Sequence, residues 1–351
     1  MNEYIIRLEE ELRKNNKEEA FITACCTYAR KLLEKNKPVL FDADHVDKVL
    51  RMEGIKRDGY HTFNAGTRKK ARIIEAPSVS IKKRQRWIVK NILEGEELGG
   101  WIHGYVKGRS IVSNAKVHAG KKRILRLDIK NFFPSITKGM VEKIFSAMGY
   151  SPSAAGELAA ICTFSSDMLY QVKGRTEEEE ASEEYRYLPH GAPSSPYLAN
   201  LIFQNTDLEI LESLQGREIR YSRYADDMFF SSDTEELQQL DEEIEGILSK
   251  HGFRLNKNKT KLMAEKDQKL VMGLNITNGI RVQNSYKRKL RQEIYYCNKY
   301  GIQDHLERTG NKGKSNFMGY LYGKAYFVNM VEPAEGKRLL EELDRLFADE
   351  Q

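Results

Sequence analysis

The order of apolar and polar residues predicts a chain that is helical at both ends and mixed in between. Residues 1–55 have helical apolar spacing, as at Ile5, Leu8 and Leu12, and Asp44 is expected to cap a third helix. Residues 123–129 form a run typical of a buried strand, and residues 281–351 are again mostly helical. We therefore expect an α+β chain in which helices flank a region of strands.

Alternating strands and helices are expected between residues 60 and 282. Short β-prone pieces flank a turn at Gly66-Thr67, and a basic amphipathic helix follows them. The expected strands and hairpins are 60–63, 72–74, 123–129, 169–188, 218–232 and 270–282, and the expected helices are 81–93, one from 137, 194–214 and 234–251. The tip at 176–184 holds six glutamates. It is either a solvated insertion without a function or a docking segment for a partner.

Composition excludes several classes of protein. The chain has 351 residues, 40% of them hydrophobic, and a mean hydropathy of −0.61. It has no apolar run long enough to span a bilayer, which excludes a membrane protein, and residues 1–14 lack the apolar core of a secretory signal. The four cysteines, Cys25, Cys26, Cys162 and Cys297, contain no C-x-x-C pair. We therefore expect a cytoplasmic protein without disulfides or structural zinc.

The positive charge is concentrated in three segments. Lysine and arginine exceed the acids by 57 to 51, for a net charge of +6, and residues 66–90 alone hold nine basic residues and one acid. Residues 107–130 are also basic, and the basic segment 281–314 is interleaved with tyrosines. Cations beside aromatic faces are typical of proteins that bind phosphate backbones and unpaired bases. The alternative is a set of solvated helix faces.

Acidic residues at two strand ends are the clearest candidates for chemistry. Asp226 and Asp227 lie in a tight turn between apolar runs, and Asp128 ends another apolar strand. Alone, an Asp-Asp pair is often just a solvated turn. If the two strands end side by side, three carboxylates could hold a pair of Mg²⁺ ions, one activating an attacking hydroxyl and one steadying a leaving pyrophosphate. Residues 188–196 form a loop of glycine, proline and small residues that could approach a nucleotide or be an ordinary turn.

Taken in their order along the chain, several motifs resemble those of reverse transcriptases over about residues 60–280. The matching segments are Arg72-Ile73-Ile74 with Pro77, Gln85-Arg86-Trp87-Ile88, Gly104-Tyr105, Leu127-Asp128-Ile129, 188–196, Tyr224-Ala225-Asp226-Asp227, 256–260 and 270–274. The resemblance implies a right-hand polymerase fold with fingers, a palm of antiparallel sheet with helices, and a mainly helical thumb. The implied domains are an N-terminal helical lead-in (1–55), fingers and palm (56–280), and a thumb that binds RNA (281–351).

Asn114-Ala115-Lys116-Val117-His118 is similar to the N-A-x-x-H signature of bacterial retron reverse transcriptases. The second retron signature, V-T-G, corresponds to Val271-Met272-Gly273, in which the middle residue departs and the hydroxyl is lost. Asn114 and His118 are therefore candidates for RNA contact. The alternative is that both lie on one helical face and satisfy local polar groups.

The resemblance also implies roles for single residues. Asp128, Asp226 and Asp227 would be catalytic metal ligands together with the Ile129 carbonyl, and Lys259 would protonate leaving pyrophosphate unless it is a solvated surface lysine. Phe133 would exclude a ribose 2′-hydroxyl, which favours dNTPs, unless it is simply core. Arg72 and Lys70 would hold the triphosphate, Ala192 would line the nucleotide pocket, and His190 would replace the usual glutamine. The expected RNA-binding residues are Asn114, His118, Val271, Gly273, Lys287, Arg288, Arg291 and Tyr295.

The function implied by the resemblance is that of a retron's RNA-directed DNA polymerase with Mg²⁺ and dNTPs. Such an enzyme copies a cognate noncoding RNA of the msr-msd type into branched multicopy single-stranded DNA, primed from an RNA 2′-hydroxyl. Its expected partners are this RNA and its DNA product, an effector protein from the same operon that serves anti-phage defence, and host RNase H. Two alternatives stay open: another bacterial reverse transcriptase, such as a group II intron or other defence type, and a catalytically silent RNA-binding scaffold.

Overall fold

Three helices begin the chain and pack against the central part of the molecule. The computed structural model describes residues 2–56, 59–65, 72–165, 185–309 and 316–348. The helices are α1 (Asn2–Lys14), α2 (Glu19–Glu34) and α3 (Ala43–Leu50). The Asp42 side chain accepts from the His45 N–H and caps α3, so the expected cap at Asp44 was wrong by two residues. Apolar residues of all three helices belong to the same core as the central sheet.

A two-stranded ribbon and a helix follow. Strand β1 (Tyr60–Ala65) pairs antiparallel with β2 (Arg72–Pro77), and α4 (Val79–Ile88) begins after the Ser78 cap. The chain continues through a π-helical turn at Val89–Leu93. The expected strands and basic helix are therefore confirmed, with a change of helix type at its end.

The central sheet has four antiparallel strands and fixes the positions of the acidic residues. Helix α5 (Ile111–His118) precedes β3 (Arg123–Asp128), and the sheet order is β6 (Arg220–Tyr224), β7 (Asp227–Ser232), β3 and β8 (Lys261–Met263). Because β3 and β7 pair in this register, Asp128 lies directly opposite Asp227. The strand and hairpin expected at 123–129 and 218–232 are confirmed.

Four helices surround this sheet: α6 (Lys138–Met148), α7 (Pro152–Cys162), α8 (Ser195–Ser213) and α9 (Leu240–Lys250). The helix expected from residue 234 begins later, because the Ser232 hydroxyl accepts from the backbone N–H groups of Thr234 and Glu235 and holds a turn there. Strands β4 (Phe164–Ser165) and β5 (Arg186–Tyr187) form a short ladder. The acidic tip expected at 176–184 lies outside the described residues.

The C-terminal part has its own core. Strands β9 (Leu270–Val271), β10 (Leu274–Asn275) and β11 (Arg281–Val282) form a three-stranded sheet, so the single hairpin expected at 270–282 was wrong. Four helices follow: α10 (Asn284–Tyr300), α11 (Ile302–Arg308), α12 (Phe317–Val331) and α13 (Pro333–Ala348). Their apolar residues form a second core cluster that also includes Ala115 of α5 and Phe229 of β7. Within the described ranges, no helix is both long and apolar enough to cross a bilayer.

Candidate active site

A cleft of about 810 Å³ lies where the ends of β3 and the β6–β7 hairpin meet β2 and the loop before α8. A volume of this size suits a small ligand such as a nucleotide. Residues from the predicted site line it together with Glu75 of β2: Asp128, Ile129, Phe133, His190, Ala192, Asp226 and Lys259. Chain segments that are distant in sequence therefore meet around one cavity.

The strand ends bring the acidic residues together as the sequence predicts. Asp128 and Asp227 face each other across β3 and β7, and the Ile129 N–H donates to the Asp226 carbonyl over 2.9 Å. The Asp128 side chain is buried, its Oδ2 lies 2.8 Å from the Lys259 Nζ, and its Oδ1 has no hydrogen-bond partner. Lys259 thus pairs with a candidate metal ligand, although 47% of its side chain is exposed, and its catalytic role stays a prediction.

The neighbouring charges disfavour this arrangement unless cations balance it. Burial raises the pKa of Asp227, the Arg126 guanidinium opposes this rise, and the charges of Asp226 and Asp128 add to it. Arg126 donates to Asp227 Oδ1 from Nε over 2.9 Å and from Nη2 over 2.7 Å. Arg126 and Lys259 therefore already balance part of the negative charge.

The predicted metal ligands are close but are not gathered into a finished site. Across the described ranges, no three acidic, histidine or cysteine side chains are close enough to hold a metal ion as they stand. The residues nevertheless suit a hard divalent cation, because they offer carboxylate oxygens and Asp128 Oδ1 is buried without a partner. The metal-ligand set Asp128, Ile129, Asp226 and Asp227 stays a prediction.

A fully buried ion pair lies behind the hairpin turn of Tyr224-Ala225-Asp226-Asp227 and is hydrogen-bonded to it. Arg223 Nη2 lies 2.7 Å from Asp207 Oδ2, and neither side chain is exposed. The Tyr221 hydroxyl also donates to Asp207, over 2.6 Å. The remaining Arg223 Nη1 donates to the Asn200 Oδ1 and to the Ala225 carbonyl in the turn. This network was not predicted from the sequence, although strand alternation places Arg223 on the same face as Tyr221.

The segment before α5 closes on the same hairpin. Backbone hydrogen bonds join Arg223 to Trp101 and His103, each over 2.8 Å, and the Asn200 Nδ2 donates to the Gly104 carbonyl over 2.8 Å. A Cβ at Gly104 would lie only 2.6 Å from the Ala225 nitrogen. Glycine is therefore required at 104 for this close approach.

Phe133 and His190 form one wall of the cleft. The Phe133 ring is half-buried and meets the His190 ring edge-on at 5.2 Å between centroids. Its neighbour Phe132 is buried beside Phe203 and Phe253, and it also borders the cleft. Ala192 is buried beside this wall. Both rings therefore border the cleft, and Phe133 is the more exposed of the two.

The predicted triphosphate-binding residues are only partly described. Arg72 is the first residue of β2, where its backbone pairs with Ala65, and Lys70 lies outside the described residues. Their roles stay predictions.

Comparison with known proteins identifies the family of the chain. A sequence model of the family described as "Reverse transcriptase (RNA-dependent DNA polymerase)" matches residues 56–276, which is more than half of the chain. The chain belongs to the reverse transcriptase family. This membership confirms the right-hand polymerase fold class that the motifs implied.

Similar proteins narrow this assignment to retrons. The chain is 28% identical to the retron Mx162 reverse transcriptase of Myxococcus xanthus over 78% of this chain and 58% of that protein. It is 28% identical to the retron Ec86 reverse transcriptase of Escherichia coli, over 82% and 80% of the two chains. It is 30% identical to the retron Ec83 reverse transcriptase of Escherichia coli, over 78% and 86%. The predicted resemblance to retron reverse transcriptases is therefore confirmed.

In this reverse transcriptase, Asn114 and His118 are buried side chains of α5. The Asn114 Oδ1 accepts from the Ser222 hydroxyl, so the Ser222 oxygen accepts from His118 Nε2 over 2.7 Å. The other ring nitrogen, Nδ1, then accepts from the Ser231 hydroxyl over 2.7 Å. The expected RNA contact of these two residues does not fit, because neither side chain has exposed surface. The alternative, a structural role, fits: the signature joins α5 to β6 and β7.

We expect His118 to make stability depend on pH. Burial lowers the pKa of His118 from 6.5 to about 3, whereas the unfolded chain binds the proton at the ordinary pKa. Because the folded protein holds His118 in the neutral form, the folded state has its full stability from this residue above pH 6.5. That contribution is lost as the pH falls towards 3. Between pH 7 and pH 5 the loss should be about 2 kcal/mol.

The measurement is the free energy of unfolding in urea at pH 7, 6 and 5 for the wild type and His118→Gln. The wild type should lose more stability than the variant over this range. His61→Gln is the control, since His61 is exposed on β1 and its variant should keep the wild-type slope. Equal slopes for the wild type and His118→Gln would contradict the prediction.

The Val271-Met272-Gly273 signature forms a tight turn between β9 and β10. Met272 has a φ of +49° and Gly273 a φ of +77°, which is the pattern of a type I′ hairpin turn. The Val271 side chain is fully buried, so the expected RNA contact through it does not fit. The Gly273 carbonyl accepts from the Gln283 side chain over 3.0 Å. Gly273 has no side chain, so any RNA contact there would involve its backbone.

The basic residues predicted on α10 divide into two groups. Lys287 is buried and lies 2.9 Å from both carboxylate oxygens of Glu332, so an RNA contact does not fit and this lysine instead joins α10 to the end of α12. Arg291 is exposed and pairs with Glu335. Arg288 is exposed, and Tyr295 is exposed with the Lys299 ammonium 5.8 Å from its ring centre. Arg288, Arg291 and Tyr295 stay predictions as RNA contacts.

Proposed function

We propose that this protein is the RNA-directed DNA polymerase of a retron, joining dNTPs to a primer hydroxyl while it copies RNA. The observation that carries the proposal is that Asp128 and Asp226 line a nucleotide-sized cleft, with Asp227 directly opposite Asp128 across β3 and β7. Phe133 and His190 form a wall of the same cleft. A silent scaffold has no use for acids whose charges repel one another.

The predicted site residues have distinct roles in the proposed reaction. Asp128, Asp226, Asp227 and the Ile129 carbonyl would hold Mg²⁺, which supplies charge neutralisation for the attacking hydroxyl and the leaving pyrophosphate. Lys259 carries an ammonium proton beside Asp128 and can donate it to a pyrophosphate oxygen as the bond breaks. Arg72 and Lys70 bind the triphosphate, and Ala192 borders the nucleotide.

Sugar selection belongs to Phe133 and His190. The Phe133 ring borders the cleft and excludes a 2′-hydroxyl, so the pocket favours dNTPs. His190 stands where a glutamine is usual and lies against the Phe133 ring, so it supports this wall.

The retron-specific part of the proposal rests on the similar retron enzymes and the N-A-x-x-H signature. The template is a cognate noncoding RNA of the msr-msd type, and synthesis begins at an RNA 2′-hydroxyl and yields branched single-stranded DNA. Host RNase H removes the copied RNA. An effector protein from the same operon joins the complex in the cytoplasm and serves anti-phage defence.

The test is to purify the protein from cells that carry its native genomic flanks and to extract the bound nucleic acid. RNase and a debranching enzyme are applied before gel analysis, with Asp226→Asn plus Asp227→Asn as the control. We expect one discrete DNA that shifts on debranching and is absent from the double variant. Bound RNA without DNA in either sample would favour a silent scaffold, and unbranched or heterogeneous DNA would favour another class of reverse transcriptase.

A further inference from the structure

A buried glutamate borders the cleft on its β2 side. Glu75 is only 2% exposed, yet it lines the cavity proposed to receive a negatively charged nucleotide. A buried carboxylate is costly unless hydrogen bonds compensate its lost hydration. The bonds that Glu75 makes therefore indicate what it does.

Both oxygens of Glu75 bind the loop that precedes α8. The Tyr187 hydroxyl donates to Oε1 over 3.2 Å, and the His190 backbone N–H donates to Oε2 over 2.8 Å. The His190 ring Nδ1 lies 3.8 Å from the same Oε2. A Cβ at Gly191 would lie 2.7 Å from the Glu75 carbonyl oxygen, so the loop is held flush against β2.

The same loop supports the turn that carries Phe133. The Tyr185 hydroxyl donates to the Pro134 carbonyl over 2.7 Å, and the Leu188 N–H donates to the Ile136 carbonyl over 3.0 Å. The His190 ring then meets the Phe133 ring edge-on, at an angle of 70°. Contacts therefore run without a break from Glu75 through His190 to Phe133.

We propose that Glu75 is a positioning residue for sugar selection: it holds His190 against Phe133 and so keeps the Phe133 ring where a 2′-hydroxyl would need to lie. This inference rests on the proposed function, in which Phe133 faces the sugar. Discrimination against one added hydroxyl is sensitive to small displacements of the wall that excludes it. Glu75 acts through the loop.

The test replaces Glu75 by two side chains of similar length. Glu75→Met offers no acceptor to the His190 N–H, whereas the amide oxygen of Glu75→Gln still does. The measured quantity is kcat/KM for one dNTP and for the matching rNTP on a primed RNA template. We expect Glu75→Met to raise the rNTP-to-dNTP ratio by about tenfold, mainly through a lower KM for the rNTP, and Glu75→Gln to keep it within about twofold of the wild type.

Two further variants keep the test decisive if Glu75→Met folds poorly. His190→Ala removes a ring that is 35% exposed and should raise the ratio in the same direction. Tyr187→Phe removes the longer bond, to Oε1, and should raise the ratio by less than Glu75→Met does.

Three results would overturn the inference while leaving polymerase activity established: equal losses for both nucleotides in Glu75→Met, no rescue by Glu75→Gln, or an unchanged ratio in His190→Ala. A wild-type protein that incorporates no dNTP would instead remove the proposed function itself.

Discussion

Asp128→Asn should lower the rate of dNTP incorporation by at least about 10²- to 10³-fold, which corresponds to several kcal/mol of lost charge stabilisation. Asp128 is more buried than Asp226 and Asp227. Its Oδ1 has no hydrogen-bond partner, and its Oδ2 accepts from the Lys259 ammonium. The change keeps the shape of the side chain but removes its charge. It therefore weakens cation binding and removes the negative charge that pairs with the Lys259 ammonium.

The measurement is single-nucleotide extension of a primed RNA template by the purified variant. Asp233→Asn is the matched control, because it makes the same chemical change at a residue just after the opposite end of β7. There Asp233 pairs with Lys121. This control should retain the wild-type rate. Wild-type activity in Asp128→Asn would remove the acidic residues from the proposed mechanism.

Arg223→Met should lower the free energy of unfolding by about 3–5 kcal/mol, because it leaves the Asp207 carboxylate buried without its cation. The triple change Arg223→Met, Asp207→Leu and Tyr221→Phe removes the ion pair and the Tyr221 hydroxyl together. It should recover much of this loss, since well-packed apolar residues can replace a buried ion pair. The measurement is urea unfolding of the single and triple variants.

Activity separates support of the hairpin from stability alone. The triple variant should extend primers more slowly than the wild type even where its stability is restored, because the Ala225 carbonyl no longer accepts from Arg223. Full activity in the triple variant would show that the network only stabilises the fold. A loss of less than 1 kcal/mol in Arg223→Met would contradict the energetic argument.

The sequence predicted the acidic site because its signals are local. Apolar runs on both sides of Asp226 and Asp227 define a hairpin, and antiparallel pairing of the strand that ends at Asp128 then brings the carboxylates together. The resemblance to reverse transcriptases placed Phe133 at the cleft by its position after Asp128. These inferences needed the strand period and the order of the motifs.

The partners of several polar and charged side chains could not be predicted from the sequence, because they depend on long-range contacts. Whether Asn114 and His118 faced RNA or the interior depended on Ser222 and Ser231, which are more than 100 residues away. The pairing of Lys287 with Glu332 and of Glu75 with the His190 loop depended on tertiary packing in the same way. A basic or polar side chain in a helical pattern does not reveal which partner it will meet.

The second core cluster limits how freely the C-terminal part could be exchanged between relatives. Its apolar residues pack on Ala115, Ile124 and Phe229, which belong to α5 and to the central sheet. A graft of residues 270–348 from another retron enzyme would bring side chains fitted to a different α5. Recombinant hybrids that also transfer residues 111–118 should therefore fold more readily than hybrids joined at a single crossover, because Ala115 would then come from the same parent as the residues that pack on it.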